Sequence, residues 1–422
     1  MENNNPTQKE VLLKVEHLEQ FFKFGKFVNR AVNDVNFEIY KGEVFGLVGE
    51  SGCGKTTTGR SIIRLYNITG GSVYFRGHRI CAGTRRYKER ISQLEAELKA
   101  RVNELTEQLK ANPDESERIN SEIATLKAEY AEKIAEQKKE LKSAKFDHKN
   151  CNKEYAKRQV ALVNEKYAPL LENASEEEKE ELEKQYKEEL RLAKKDSITN
   201  KIQMIFQDPI ASLNPRMTVR EIISEGLIIR GIKDKAYIEE QVYRVLDMVG
   251  LVHEHADRYP HEFSGGQRQR IGIARAIILN PEFIIADEPI SALDVSIQAQ
   301  VINLLNEIRE RLGLTILFIA HDLSVVKYFS DRIAVMYYGK IVELSTSDQI
   351  FAHPLHPYTK SLFSAIPLPD PHLEKARKRI TYNPIAAHDY RTDLPSMREV
   401  APGHFVYCNN EEFARYQEEL NK

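Results

Sequence analysis

The chain lacks what would fix it in a bilayer or staple it covalently. No stretch approaches the roughly 20 apolar residues that a membrane-spanning helix needs. Met1-Glu2-Asn3-Asn4-Asn5-Pro6 has neither the basic nor the apolar region of a signal peptide. Attachment to a membrane is therefore expected only through partner proteins. Its four cysteines, Cys53, Cys81, Cys151 and Cys408, are scattered and without C-x-x-C spacing, which argues against a zinc site or a disulfide framework. A formal net charge of −2 gives no sign of general affinity for nucleic acid. Glycine and proline are also nearly missing from one long stretch, residues 87–197, where tight turns are correspondingly rare.

Against these absences stands one dense motif. Gly49-Glu50-Ser51-Gly52-Cys53-Gly54-Lys55-Thr56 is a complete Walker A loop. It follows the apolar run Glu43-Val44-Phe45-Gly46-Leu47-Val48, which reads as a buried strand, and precedes Thr57 to Leu65, which reads as a helix. The glycines let successive backbone N–H groups turn inward around phosphate oxygens. Lys55 supplies a point charge for the β- and γ-phosphates, the Thr56 hydroxyl can ligate Mg²⁺, and the helix presents the positive end of its dipole to the same anion. Cys53 lies inside the loop; the helix N-terminus and Lys55 are expected to lower its pKa, although the simpler reading is that it fills a variable position.

Downstream, Phe283-Ile284-Ile285-Ala286-Asp287-Glu288 is an apolar run ending in two carboxylates. Adjacent acids at a buried strand end are costly without a cation or partner. Asp287 fits the metal side and Glu288 the role of general base on an attacking water.

Together with these, Phe263-Ser264-Gly265-Gly266-Gln267, Gln207 in Met204-Ile205-Phe206-Gln207-Asp208-Pro209, Ser291-Ala292-Leu293-Asp294, and His321 in Phe318-Ile319-Ala320-His321-Asp322 resemble the signature, Q-loop, D-loop and switch histidine of the ATP-binding-cassette family. The resemblance implies an α/β P-loop fold with a core sheet, an antiparallel β subdomain and a helical subdomain. It implies an ATPase using ATP and Mg²⁺, with Glu288, His321 and Gln207 catalytic and with Thr56, Gln207 and Asp287 on the metal. ATP would contact Gly49, Glu50, Ser51, Gly52, Cys53, Gly54, Lys55, Thr56 and Thr57. It would be sandwiched against a partner cassette, so that Ser264, Gly265, Gly266 and Gln267 serve the partner's ATP, with D-loop Asp294 alongside. Either Phe22 or Phe24 would stack on adenine.

Arg258 to Arg270, Gln207 to Val219 and Pro354-Leu355-His356-Pro357-Tyr358-Thr359 with Ile366-Pro367-Leu368-Pro369-Asp370-Pro371 are similar to the oligopeptide and dipeptide importer ATPases, above all to their F-type subunits. Uptake of oligopeptides or dipeptides is implied, with a second, D-type ATPase subunit, two membrane permease subunits and an extracytoplasmic peptide-binding protein, at the cytoplasmic face of the plasma membrane. A nickel or opine cargo is the alternative. A DNA-repair ATPase is disfavoured because its coil would follow Gln207, and a two-cassette ribosomal factor because there is one Walker A loop. Some relatives carry an iron–sulfur cluster on C-terminal cysteines, which Cys408 alone cannot ligate.

The resemblance covers about residues 10–82 and 198–420, and the middle departs from it. There, Ile91, Leu94, Leu98, Val102, Leu105 and Leu109, then Ile119, Ile123, Leu126, Tyr130 and Ile134, recur at coiled-coil spacing. Breaks at Asn112-Pro113-Asp114 and Asn173-Ala174-Ser175, and a weaker one at 147–152, predict four helices of about 20–28 residues in two antiparallel hairpins, each projecting roughly 30–40 Å. The expected division is a split cassette, 10–82 and 198–350, a helical insertion, 84–197, and a C-terminal extension, 351–422. His253, His255 and His356 read as surface histidines, and Lys375 to Arg379 as a solvated tail.

Overall fold

The computed structural model describes residues 9–366 and 379–420. Met1 to Pro6, Pro367 to Pro371 and most of the Lys375–Arg379 cluster lie outside the described residues.

The chain opens with strands β1 (Val11–Phe24) and β2 (Phe27–Tyr40), followed by β3 (Val44–Val48), helix α1 (Lys55–Ile62), β4 (Gly70–Phe75) and β5 (His78–Ala82). Strands β2-β1-β4-β5 form an antiparallel sheet in that order. The insertion follows as α2 (Arg85–Ala111), α3 (Ser116–Asn173) and α4 (Glu176–Ala193). Next come β6 (Ile202–Ile205) and a helical block of α5 (Pro209–Ser212), α6 (Val219–Ile229), α7 (Lys235–Met248) and α8 (Gly265–Ile277). The chain returns through β7 (Phe283–Asp287), α9 (Val295–Leu312), β8 (Thr315–Ala320), α10 (Leu323–Phe329), β9 (Arg332–Tyr337) and β10 (Lys340–Thr346). It ends with α11 (Ser347–Ala352), α12 (Pro357–Phe363), α13 (Pro384–Ala387), β11 (Ser396–Ala401), β12 (His404–Cys408) and α14 (Asn410–Leu420).

The second sheet has eight strands, β11-β12-β10-β9-β3-β8-β7-β6. The five from β6 to β9 are parallel, as strands alternating with helices require. The expected cassette ended at residue 350, but its sheet continues beyond it, β12 pairing antiparallel with β10 and β11 with β12. Short mixed strands in an extension are not distinguishable by pattern from loops, because periodicity is weak over so few residues.

Why the central strands read as unbroken apolar runs is visible in their packing. Alternate residues enter opposite cores. Val44, Val48, Ile284, Ala286, Ile316 and Phe318 join the helical block on one face. Phe45, Leu47, Ile285, Leu317 and Ile319 face the antiparallel sheet on the other. Both faces are covered, so alternation of polar residues has nothing to select it.

The insertion corrects one expectation. The breaks at 112–114 and 173–175 are real, and Glu178 accepts from the Ser175 backbone N–H at 3.1 Å as a cap on α4. The weaker break at 147–152 is not a break: α3 runs through it as one helix of 58 residues, about 87 Å at 1.5 Å per residue. Three helices therefore replace four, with the two halves of α3 pairing with α2 and α4 in turn. The polar residues that resembled a turn are contacts instead. Asp147 accepts from Arg79 Nε (2.9 Å) and Nη2 (2.7 Å), the His148 carbonyl from Arg64 Nη2 (2.6 Å), and Cys151 Sγ receives Arg64 Nη1 (2.9 Å). Tyr155 buries its ring in the core beneath β5. Along the α2–α3 seam, Leu94 and Ile119 are buried, on the apolar stripe the spacing defined.

Candidate active site

The phosphate loop is shaped by close backbone contacts. A Cβ on Gly49 would sit 2.2 Å from the Met336 carbonyl oxygen, and one on Gly54 2.2 Å from that of Ala31, so no larger residue fits either position. Both adopt positive φ, +150° and +111°, which glycine tolerates. Within this loop the Lys55 ammonium, itself buried, donates to the carbonyls of Gly49 (2.8 Å) and Glu50 (3.0 Å).

Strand β7 ends directly opposite. Asp287 Oδ1 accepts from Thr56 Oγ1 at 2.8 Å, joining the two motifs across 231 residues of chain. Asp287 is fully buried, and its second oxygen has no hydrogen-bond partner; the nearest cation, Arg60, is 4.0 Å away. Burial pushes its carboxyl pKa up, against the pull of Thr56 and Arg60. A buried, incompletely paired carboxylate oxygen beside a Thr hydroxyl is a donor set suited to Mg²⁺.

Glu288 follows at φ +45°, a left-handed backbone uncommon for a side-chain-bearing residue, pinned by its N–H to the Ile319 carbonyl at 2.9 Å. This turn brings three separated motifs together. Gln207 Nε2 donates to Glu288 Oε2 at 2.9 Å, and His321 Nδ1 lies 3.2 Å from the same oxygen. Phe22, Ser51, Gly52, Gly54, Lys55, Thr56, Thr57, Gln207, Glu288 and His321 line one cavity of about 460 Å³. Of the two rings the sequence left open, Phe22 is in that wall and Phe24 is not.

Not every sequence candidate is there. Ser264, Gly265, Gly266, Gln267 and Asp294 do not line the cavity. Ser264 instead caps α8, exchanging bonds with Gln267 (3.0 and 3.4 Å), while Gly265 and Gly266 pack against Leu293 and Ile297, beside Asp294 at the start of α9. A Cβ on Gly266 would come within 2.7 Å of the Ile297 side chain, which would have to shift to admit it.

Two expectations are overturned here. Cys53 is buried, and desolvation raises its thiol pKa despite Lys55 nearby. The helix end and the cation are outweighed because the thiol faces Gly49 and the loop interior. His356 is not a surface histidine: it is 2 % exposed, and burial drives its pKa down to about 3. Sequence reasoning also missed Asn29 and Ala31, which line the cavity, and Tyr358, whose hydroxyl accepts from the Glu50 N–H at 3.0 Å. The His356-Pro357-Tyr358 run is the available signal for the last of these, and by itself it carries only family likeness.

Comparison with known proteins identifies the family. The ABC transporter family model matches residues 32–165 and 167–291, and the chain belongs to that family as an ATP-binding, ATP-hydrolysing cassette. A second model, the C-terminal region of oligopeptide/dipeptide transporters, matches residues 342–392. Within the family the chain thus falls among the ATP-binding subunits of the oligopeptide/dipeptide type. The oligopeptide transport ATP-binding protein OppF of Bacillus subtilis is 44% identical over 408 residues, spanning 96% of this chain and 99% of that protein. The dipeptide transport ATP-binding protein DppF of Lactococcus lactis subsp. cremoris is 40% identical over 415 residues, 97% of this chain and 98% of its own length. Among solved structures, a dimeric cassette in a post-hydrolysis state with ADP and Pi aligns at TM-score 0.48 and 21% identity, over 80% of this chain and 99% of that one.

Proposed function

We propose that this chain powers the uptake of oligopeptides or dipeptides, hydrolysing ATP at the cytoplasmic face of a membrane it does not itself cross. Among the described residues no helix is long and apolar enough to span a bilayer, so the reading requires permease partners. We take these to be two membrane subunits, a second ATPase of D type and an extracytoplasmic peptide-binding protein. The observation that carries the cargo class is the match of residues 342–392 to the peptide-transporter C-terminal region.

In the proposed mechanism Lys55, the loop N–H groups of Gly52 and Gly54, and the start of α1 hold the β- and γ-phosphates. Phe22 stacks on adenine. Thr56, Asp287 and Gln207 would hold Mg²⁺, which supplies positive charge to the phosphate oxygens when bound. Glu288 takes a proton from the attacking water, a contribution of about 10²–10⁴ in rate for a positioned base. Gln207 and His321, both within bonding distance of the Glu288 carboxylate, orient it and the water. Ser264, Gly265, Gly266 and Gln267, set away from this chain's own cavity, complete the site of the partner cassette, with Asp294 beside them. A cassette of split sequence, 10–82 and 198–350, would carry this chemistry, with the helical insertion, 84–197, leaving and rejoining it and the extension, 351–422, adding β11 and β12 to its sheet.

The test is to tag the chain in its own host, solubilise membranes in mild detergent with ATP and identify the proteins retained. Two permeases, a second ATPase and a peptide-binding protein support the reading. Recovery with a nickel- or opine-binding protein would retain the energising role and overturn the cargo, and recovery with ribosomes or a nuclease would overturn both.

A further inference from the structure

The phosphate loop is braced from outside the cassette's motifs, by a residue of the C-terminal region. Tyr358, near the start of α12, has a buried ring, and its hydroxyl accepts from the Glu50 N–H at 3.0 Å. Glu50 is also the residue whose carbonyl takes the Lys55 ammonium at 3.0 Å and the Cys53 N–H at 3.3 Å. The Gly49–Glu50 peptide thus meets Tyr358 through its N–H and Lys55 through its carbonyl (2.8 Å), so it fixes both the entry of the loop and the side chain that meets the phosphates.

Tyr358 is itself held on several sides. Its N–H donates to His356 Nδ1 at 3.1 Å. The turn before it is pinned by the buried carboxylate of Glu343, on β10, which accepts from the N–H groups of Leu355 (2.9 Å) and His356 (3.0 Å) and pairs with His404 Nε2 (2.7 Å). The ring lies 4.4 Å from that of Tyr337 and 5.6 Å from that of Tyr382, whose hydroxyl pairs with His388 Nε2 at 2.9 Å. Burial raises the Tyr358 pKa, so the hydroxyl stays neutral at physiological pH and the contact is a hydrogen bond rather than an ion pair.

We propose that Tyr358 is a positioning residue for ATP: its hydroxyl presets the Glu50 peptide in the conformation that binds phosphate, so that the C-terminal region sets nucleotide affinity through one bond. A loop held in its binding form has less conformational freedom to lose when ATP arrives. Removing the hydroxyl leaves the ring packing in place and lets this peptide move.

The experiment compares Tyr358→Phe with Tyr382→Phe in the full chain, titrating Mg-ATP and recording Tm with and without nucleotide. One neutral hydrogen bond corresponds to about a three- to tenfold change in affinity. For Tyr358→Phe a rise of that size in the ATP Kd is expected, with a smaller ATP-induced rise in Tm and little change in the nucleotide-free Tm. Tyr382→Phe, which breaks the bond to His388 but not the one to Glu50, should leave the ATP Kd at the parent value. An unchanged Kd in Tyr358→Phe overturns the proposal. So does an equal loss of affinity in both variants, which would mean that general loosening of the region is responsible. Both outcomes are read on ATP binding alone, independently of cargo.

Discussion

The buried end of β7 sets binding against stability, and Asp287→Asn separates the two. One Asp287 oxygen accepts from Thr56 and the other has no hydrogen-bond partner, with Arg60 4.0 Å away, while the group is shielded completely from water. Its raised pKa means that the surroundings, taken together, disfavour the charge. Leaving a buried acceptor unmet costs about 1–3 kcal/mol, more if it is charged. The amide is isosteric, keeps an oxygen for Thr56 and removes the charge. It should therefore stabilise the nucleotide-free chain by about 1 kcal/mol or more, at the lower end of that range because the new N–H₂ also lacks an acceptor. For domains of 150–250 residues 1 kcal/mol is worth about 2–4 °C. Differential scanning fluorimetry of the nucleotide-free protein should show a Tm raised by at least that much. Saturating Mg-ATP should then raise Tm less than it does in the parent, because a neutral ligand holds a divalent cation poorly. The pH dependence has a matching sign: an acid whose folded pKa is raised binds more protons folded than unfolded, so its contribution to stability falls as pH rises from the ordinary aspartate value of 3.8 towards the folded pKa. Asp287→Asn should remove that component. A lower nucleotide-free Tm in the variant would refute the reasoning, since it would mean the charge is already well compensated.

Three further outcomes are expected. Glu288→Gln should keep ATP affinity and lose about 10²–10⁴ of the hydrolysis rate, and normal turnover would remove Glu288 from the role of base. Cys53 should react with iodoacetamide slowly at pH 7 even without nucleotide, because its thiol is buried and its pKa raised; labelling faster than that of the more exposed Cys151 would contradict this. Arg79→Ala, which removes the donors to Asp147 and Ser143, should cost about 1 kcal/mol locally, Asp147 being a third exposed. Amide exchange should rise in residues 143–155 with ATP affinity unchanged, and unaltered exchange would show that Tyr155 burial alone holds the helix.

The chemistry of this chain is legible in sequence because it lies in short segments with fixed backbone demands. Gly49 and Gly54 admit no side chain, and Glu288 ends an apolar strand, so each leaves a local trace. The insertion was half legible. Its apolar stripe marked which faces of α2 and α3 meet, but Asp147, Cys151 and Asn152 answer Arg79, Arg64 and Thr199, which are distant in sequence. A contact of that kind looks like a turn until the partner is known. The C-terminal part was the least legible. Tyr358, Glu343 and His404 are tied by buried hydrogen bonds across the chain, and no periodicity betrays a polar group buried for a partner. The burial that made His356 differ from expectation has the same origin.

The continuous middle of α3 has a mechanical consequence. Held at Asp147, His148, Cys151 and Tyr155 near its centre, with one half paired to α2 and the other to α4, it is a beam on a fulcrum rather than two independent spikes. A tilt of about 5° about that point would carry each end of an ~87 Å rod some 4 Å, in opposite directions. A load applied at the tip beside α2 is thereby felt, with reversed sign, at the tip beside α4.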